Sequence, residues 1–305
     1  MKKISVHIPF YFTKNKKSKE RNFNKVCSSF LKLSKKTDIF VHTNKKFKNK
    51  KKRIKFIVYK LTKDHPFKLT WYCRKLMEKQ KNKYDIFIYS EDDILFTKKN
   101  LNYWMKFKDI CTNKNYNLGF LRVEMNKKDK KLYSTDQISK SKKYVKLNNK
   151  KYFVPTNPYC GFWIYDKKEF IKFVNTKWWK FKWSLRSNSG ILHIREMASL
   201  GWHGTNINGQ DMDRYLATII PINKMKPDNR SFIKHLSNNY ANSPRGLFGT
   251  FRINDIIDNE LQKFIPKSPL NKFLNKTKYN IYSMLRINIK SLFNKTKLHP
   301  DLVKK

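Results

Sequence analysis

Near the amino terminus Ile4, Val6 and Ile8 alternate with polar residues and run into Pro9. This is the period-two signature of a strand, which should stop where proline cannot donate to a ladder. Phe23, Val26, Phe30 and Leu33 then recur at helical spacing, and Asp38-Ile39-Phe40-Val41 reads as a short buried strand. The unit repeats: Ile54 to Tyr59 is strand-like, Leu69 to Gln80 helical, and Tyr84 to Tyr89 strand-like again. Such alternation predicts an α/β chain with a parallel sheet, in which ligands bind beyond the carboxyl ends of the strands.

Farther along, Leu101 to Cys111 predicts a helix and Leu118 to Val123 a strand, while the Lys/Asp/Asn-rich stretch from Asn126 to Lys151 predicts an exposed, mobile loop or hairpin. Phe153 to Tyr165 is apolar but interrupted by Pro155, Pro158 and Gly161, so a backbone bend is expected at Cys160-Gly161, ahead of a helix from Lys167 to Val174. From Asp258 onward aromatic and aliphatic residues such as Phe264, Phe273, Tyr279 and Leu285 are interleaved with lysines, the pattern of a basic helical tail over 258–305.

A chain of 305 residues with 39% hydrophobic and 15% aromatic content has ample material for one large core, which excludes wholesale disorder. Charge changes the picture more. Lys and Arg number 69 against 22 Asp and Glu, a formal net charge of +47. Nucleic acid, an acidic membrane face and phosphorylated small molecules all suit that surface. Lysines nevertheless occur in every segment, so compositional bias explains the charge equally well. Cys27, Cys73, Cys111 and Cys160 form no CxxC pair, which points to a reducing compartment. The basic start is followed by His7 and Pro9 without a small-residue cleavage site, and no run reaches the roughly 18 apolar residues of a membrane span. The expectation is a cytoplasmic protein, either soluble or peripheral on the inner face of the membrane.

The sharpest chemical signal is Ser90-Glu91-Asp92-Asp93-Ile94. With 22 acids in 305 residues, three adjacent acids would arise by chance about 0.1 times. The run follows an apolar strand, where neighbouring carboxylates repel unless a cation or donors neutralise them, so a hard divalent ion is a natural partner. A turn salted by nearby lysines is the plainer alternative. No Gly-x-Gly-x-x-Gly, Walker loop, zinc spacing or serine nucleophile elbow is present.

With this run at the end of the fourth strand, the sequence resembles the GT-A fold glycosyltransferases, in which βαβ units bind a nucleotide-sugar and a DxD-type acidic motif ends a strand. The resemblance implies a Rossmann-like sandwich with a mostly parallel central sheet over residues 1–257, with a nucleotide-binding half at 1–125 and an acceptor half at 150–257. It implies Mn²⁺ or Mg²⁺ held by Glu91 and Asp93, with Glu91 and Asp92 at the donor. Glu in place of the first Asp is a departure. Pro158-Tyr159-Cys160-Gly161-Phe162-Trp163 resembles the loop lining the donor sugar, with Gly161 allowing close approach and Tyr159 and Trp163 offering aromatic faces. Ile194-Arg195-Glu196-Met197 resembles the region supplying the base, here Glu196. Gly209-Gln210-Asp211-Met212-Asp213 offers Asp211 as the rival base. His235 in Phe232-Ile233-Lys234-His235-Leu236 resembles the histidine that completes the metal site. Arg74, on the helix before the acidic strand, is a candidate contact for the donor phosphate, although a solvated surface position suits it as well.

The implied activity is metal-dependent transfer of a sugar from a nucleoside-diphosphate donor to a hydroxyl on a glycan or lipid-linked acceptor, as in surface polysaccharide or glycolipid synthesis. Peripheral contact with an anionic membrane accompanies that reading. The charge and interspersed aromatics also suit a nucleic-acid-binding protein or a metal-dependent nuclease, which accounts less well for the acidic run. A third reading is an adaptor anchored to a membrane surface by the tail.

Overall fold

The computed structural model of the chain describes residues 1–12, 17–45, 51–61, 66–180, 198–202 and 215–266. Four strands open the fold: β1 (Ile4–Phe10), β2 (Thr37–Thr43), β3 (Ile54–Val58) and β4 (Ile86–Ser90), with helix α1 (Lys17–Leu31) between the first two and α2 (Leu69–Lys79) before the fourth. All pair in parallel, β4 beside β1, β1 beside β2 and β2 beside β3. This is the expected βαβ pattern.

The β1 strand runs through Pro9 rather than stopping there. Pairing with β4 ends at the His7–Tyr89 position, so the proline falls where no β4 partner needs an N–H. Alternation divides β1 between two layers. Val6 and Ile8 pack in the core that contains Phe23, Val26 and Phe30 of α1. On the opposite face Ser5 and His7 meet Gln80, just beyond α2, with both the Ser5 hydroxyl and His7 Nε2 3.1 Å from Gln80 Oε1.

The second half is mixed. After β5 (Ile94–Leu95) and α3 (Lys98–Thr112) come β6 (Asn117–Leu118), β7 (Leu121–Met125), β8 (Leu132–Ser134), β9 (Ser141–Leu147), β10 (Lys150–Phe153) and β11 (Phe162–Asp166). Then follow α4 (Lys167–Val174), the short α5 (Lys177–Lys180), β12 (Thr218–Asn223), β13 (Lys226–Pro227), β14 (Phe232–His235), β15 (Phe251–Arg252) and β16 (Ile257–Lys263). Strand β11 adds to the first sheet antiparallel to β4, giving the order β11-β4-β1-β2-β3. Two further sheets, β13-β12-β10-β9-β16 with β6 beside β12, and β15-β8-β7-β14-β5, complete a mixed α/β architecture.

Three expectations change. The single strand predicted over 118–123 is two strands, β6 and β7, separated at Gly119, where a Cβ would lie 2.5 Å from Thr218 Cγ2. The polar stretch 126–151 does contain a hairpin, β9–β10, but it is not exposed throughout, since Ser134 to Gln137 are buried. The stretch read as the start of the tail is strand β16 pairing in parallel with β9, and Phe264 donates its N–H to the Tyr144 carbonyl, so alternating charge there marks a half-exposed strand. Residues 267–305, the remainder of the expected tail, lie outside the described residues. Among those described, no helix is long and apolar enough to cross a membrane.

Beneath α2 a hydrogen-bonded chain crosses the sheet. Ser5 Oγ lies 2.8 Å from His7 Nε2, His7 Nδ1 lies 2.9 Å from His42 Nε2, and His42 Nδ1 lies 2.9 Å from the Tyr59 hydroxyl. Burial drives His42 down to about 3, and burial reinforced by His42 holds His7 well below the ordinary value. Both imidazoles are therefore neutral when folded and take up protons on unfolding. Their contribution is complete above the unfolded value of about 6.5 and is lost as pH falls below it, at up to about 1.4 kcal/mol per pH unit for each ring. Chemical denaturation of the native chain and His42→Gln from pH 7 to 4 should show a shallower acid-side loss in the variant; identical slopes would refute this account.

Candidate functional site

The carboxyl ends of β1 and β4 face a cavity of about 840 Å³, lined on that side by Pro9, Tyr11 and the Glu91-Asp92-Asp93 run. Strand β4 is wholly buried, and the acids form the turn leading to β5. Each finds a different partner, as adjacent carboxylates emerging from an apolar strand must.

Asp92 lies 3.2 Å from Lys19 Nζ on α1, and Lys19 also donates to the Tyr11 carbonyl at 3.1 Å. Burial pushes the Asp92 carboxyl up to about 6, with the charges of Asp93 and Glu91 adding to the effect and Lys19 opposing it. Asp93 Oδ2 sits 3.0 Å from His235 Nε2 and accepts the Ser237 hydroxyl hydrogen bond. Burial works against ionisation of Asp93, but these partners hold its carboxyl well below the usual range. Glu91 turns elsewhere: its Oε1 accepts from the Tyr159 hydroxyl at 2.8 Å and from Ser199 at 3.1 Å, and its Oε2 is 3.9 Å from Arg122.

His235 ends β14, whose antiparallel register with β5 sets it opposite Ile94, and the Leu236 N–H closes onto the Asp93 carbonyl at 2.8 Å. Its Nδ1 lies 2.5 Å from Glu124 Oε1. Burial disfavours the imidazolium, yet Asp93 and Glu124 raise His235 to about 9, so it is cationic at neutral pH. Glu124 is in turn fixed by the backbone N–H groups of Asn239, Tyr240 and Ala241 at 3.1, 2.8 and 2.7 Å.

Arg122 precedes Glu124 by two positions on β7, and so projects from the same face. Its guanidinium forks onto Asp136, Nε to Oδ2 at 2.9 Å and Nη2 to Oδ1 at 2.7 Å, and its centre lies 5.1 Å from the Tyr159 ring and 5.4 Å from the Tyr240 ring. Arg122, Glu124, Asp136 and Lys19 are absent from the sequence-based candidates. A signal existed for two of them: opposite charges two apart inside an otherwise apolar strand can be buried only on one face, as a paired network.

The structure therefore brings Glu91, Asp92, Asp93, His235 and Tyr159 to one cavity. Gly161 has φ +65°, and a Cβ there would lie 3.0 Å from Glu91 Oε2, so the group that approaches this glycine closely is Glu91. Trp163, expected to offer a face to sugar, is buried and stacked on Tyr89 with ring centres 5.7 Å apart. Arg74 is neither at the cavity wall nor on a solvated helix face. It is buried 3.8 Å over Trp71 and 4.9 Å over Trp179, donating to the Trp179 carbonyl at 3.0 Å. Glu196 and Asp211 lie outside the described residues, shortly before and after the described segment in which Leu200 lines the cavity.

Among the described residues, no three His, Cys, Asp or Glu side chains converge as a ready-made cation cage. The 3.0 Å between Asp93 Oδ2 and His235 Nε2 nevertheless equals the separation of neighbouring ligand atoms around an octahedral ion with bonds of about 2.1 Å. Glu124 holds the imidazole through its other nitrogen, as a carboxylate orients a ligating histidine. Asp93 and His235 are the residues that could hold a hard dication, once Nε2 is free of its proton.

No family model matches the chain, and no curated protein matches it. Among solved structures, a crystal structure of S. aureus TarS 1-349 is similar, with 14% identity and a TM-score of 0.37 over 65% of this chain and 56% of that one. This chain thus spans a little over half of that chain's length.

Gly161→Ala should destabilise the protein by about 1–3 kcal/mol, because alanine is strained at this φ and its methyl group crowds the Glu91 carboxylate. Urea denaturation measures the effect, and a change below about 0.5 kcal/mol would contradict the packing described.

Proposed function

We propose that the chain transfers a sugar from a nucleoside-diphosphate donor to a hydroxyl on a glycan or lipid-linked acceptor, on a GT-A type scaffold. The supporting observation is the juxtaposition, in one cavity at the strand ends, of the acidic run with His235. In this reading Asp93 and His235 hold Mn²⁺ or Mg²⁺, and Nε2 gives up the proton it now shares with Asp93. When bound, the cation would neutralise charge building on the departing diphosphate.

The chain's own residues do the remaining work. Lys19 and Arg122 bring positive charge to a cavity whose donor is anionic. Tyr159, pinned by its hydroxyl to Glu91, offers a fixed aromatic face to the sugar. Asp136 lines the cavity but is committed to Arg122, which makes it a poor general base. In an inverting reaction Glu196 or Asp211 would take the acceptor proton. The wholly buried Arg74 serves this reading as support for α2 rather than as a phosphate contact.

Screening sugar nucleotides for Mn²⁺-dependent hydrolysis tests the proposal without a known acceptor. One donor should be turned over, and Asp93→Ala should lower the rate on the order of 10²-fold or more while its melting curve remains cooperative. Full activity in Asp93→Ala, or stabilisation by nucleic acid but not by metal with nucleotide, would refute it.

A further inference from the structure

Three of the exposed large hydrophobic residues gather at the mouth of the cavity: Ile138 at 38% exposure, Leu247 at 57% and Phe248 at 39%. The fold makes them neighbours. Strand β15 pairs antiparallel with β8, with Phe251 opposite Ser134, so the residues before β15 run beside those after β8. Ile138 and Phe248 both line the cavity. Leu247 occupies the tip of a tight turn closed by hydrogen bonds between Arg245 and Phe248, N–H to carbonyl in both directions at 3.3 and 3.1 Å. Gly246 in that turn has φ +59° and nothing within 4 Å of where a Cβ would be, so the tip stands clear of the fold.

Cations occupy the same loops. Arg245 lies in the turn itself, at the cavity edge with its guanidinium 5.9 Å from the Tyr240 ring centre. Lys140 stands two positions beyond Ile138 and is exposed. Exposed Lys127 is tied to the same loop through its backbone N–H, which donates to Asn242 Oδ1 at 2.8 Å. The nearby acids are committed elsewhere, Asp129 3.1 Å from Arg252 and Asp136 to the Arg122 fork.

We propose that this rim docks on an anionic lipid bilayer, with Leu247 and Phe248 entering the interface and Arg245, Lys127 and Lys140 facing the headgroups. Three apolar side chains fall far short of the roughly 1,200 Å² that a stable protein interface buries, whereas a small apolar cluster on loops that also carry cations matches the two layers of an acidic membrane surface. Docking here would present the open cavity to the membrane and select an acceptor carried on lipid. That consequence rests on the sugar-transfer reading; the docking itself does not.

The test uses the full chain and no activity assay. All four native cysteines are buried, so Leu247→Cys can be labelled selectively with a small fluorophore. Met105→Cys serves as the control: it is 46% exposed and borders a surface shared with Met1 and Ile4 at the amino ends of the strands, away from the cavity. On phosphatidylglycerol vesicles with brominated acyl chains, the label at 247 should be quenched and blue-shifted and that at 105 should not. The exposed double variant Leu247→Glu/Phe248→Glu should partition onto such vesicles roughly tenfold less than the native chain or lower still. Failure to bind the vesicles, binding without quenching at 247, undiminished binding of the double variant, or shielding of the label by self-association in solution would each overturn the proposal.

Discussion

The site depends on one alternation of charge, from Asp93 through the His235 imidazolium to Glu124. Asp93 belongs to the corner after β4, in the largely parallel sheet, whereas His235 and Glu124 belong to β14 and β7 of another. The imidazole thus links two sheets at the floor of the cavity. Glu124 extends the link into backbone, because the three N–H groups it accepts from 239–241 set the course of the loop leading to the cavity rim. Burying such a chain gains little net stability, since desolvation opposes each ion pair. Its effect is to fix the Asp93 carboxylate and the His235 imidazole relative to each other.

Around that chain the scarce acids are concentrated. The chain has 22 acids against 69 basic residues, yet Glu91, Asp92, Asp93 and Asp136 all line one cavity. Each is met by a cation or a donor: Lys19 for Asp92, His235 for Asp93, Arg122 for Asp136, and Tyr159 with Ser199 for Glu91. The chain as a whole is strongly basic, while the cavity gathers carboxylates ordered by specific partners.

Much of the first sheet was legible because periodicity and the βαβ rule act locally: β1 to β4 and their helices fall close to the predicted stretches. The acidic run was legible for a similar reason, since three carboxylates beside an apolar strand are statistically and energetically conspicuous. The network was less so. That His235 meets Asp93, and that Glu124 backs it, depends on the register of β14 against β5 and β7, which pairs residues more than a hundred positions apart. Trp163 could have faced a sugar or packed in the core, and Arg74 a donor phosphate or solvent, because a sequence records residue types but not the layer into which a side chain turns; both are buried. Strand β16 was missed because a half-exposed strand rich in charge looks like a polar tail until its partner β9 is known.

The most direct measurement is pulsed electron paramagnetic resonance on Mn²⁺ bound to the protein with a nucleoside diphosphate. If the carboxylate–imidazole pair on the cavity floor exists to hold a dication, the spectrum will carry nitrogen modulation from one coordinated imidazole, and that modulation will vanish in His235→Gln. Tight binding of Mn²⁺ with no coordinated nitrogen, or with modulation indifferent to position 235, would contradict the account.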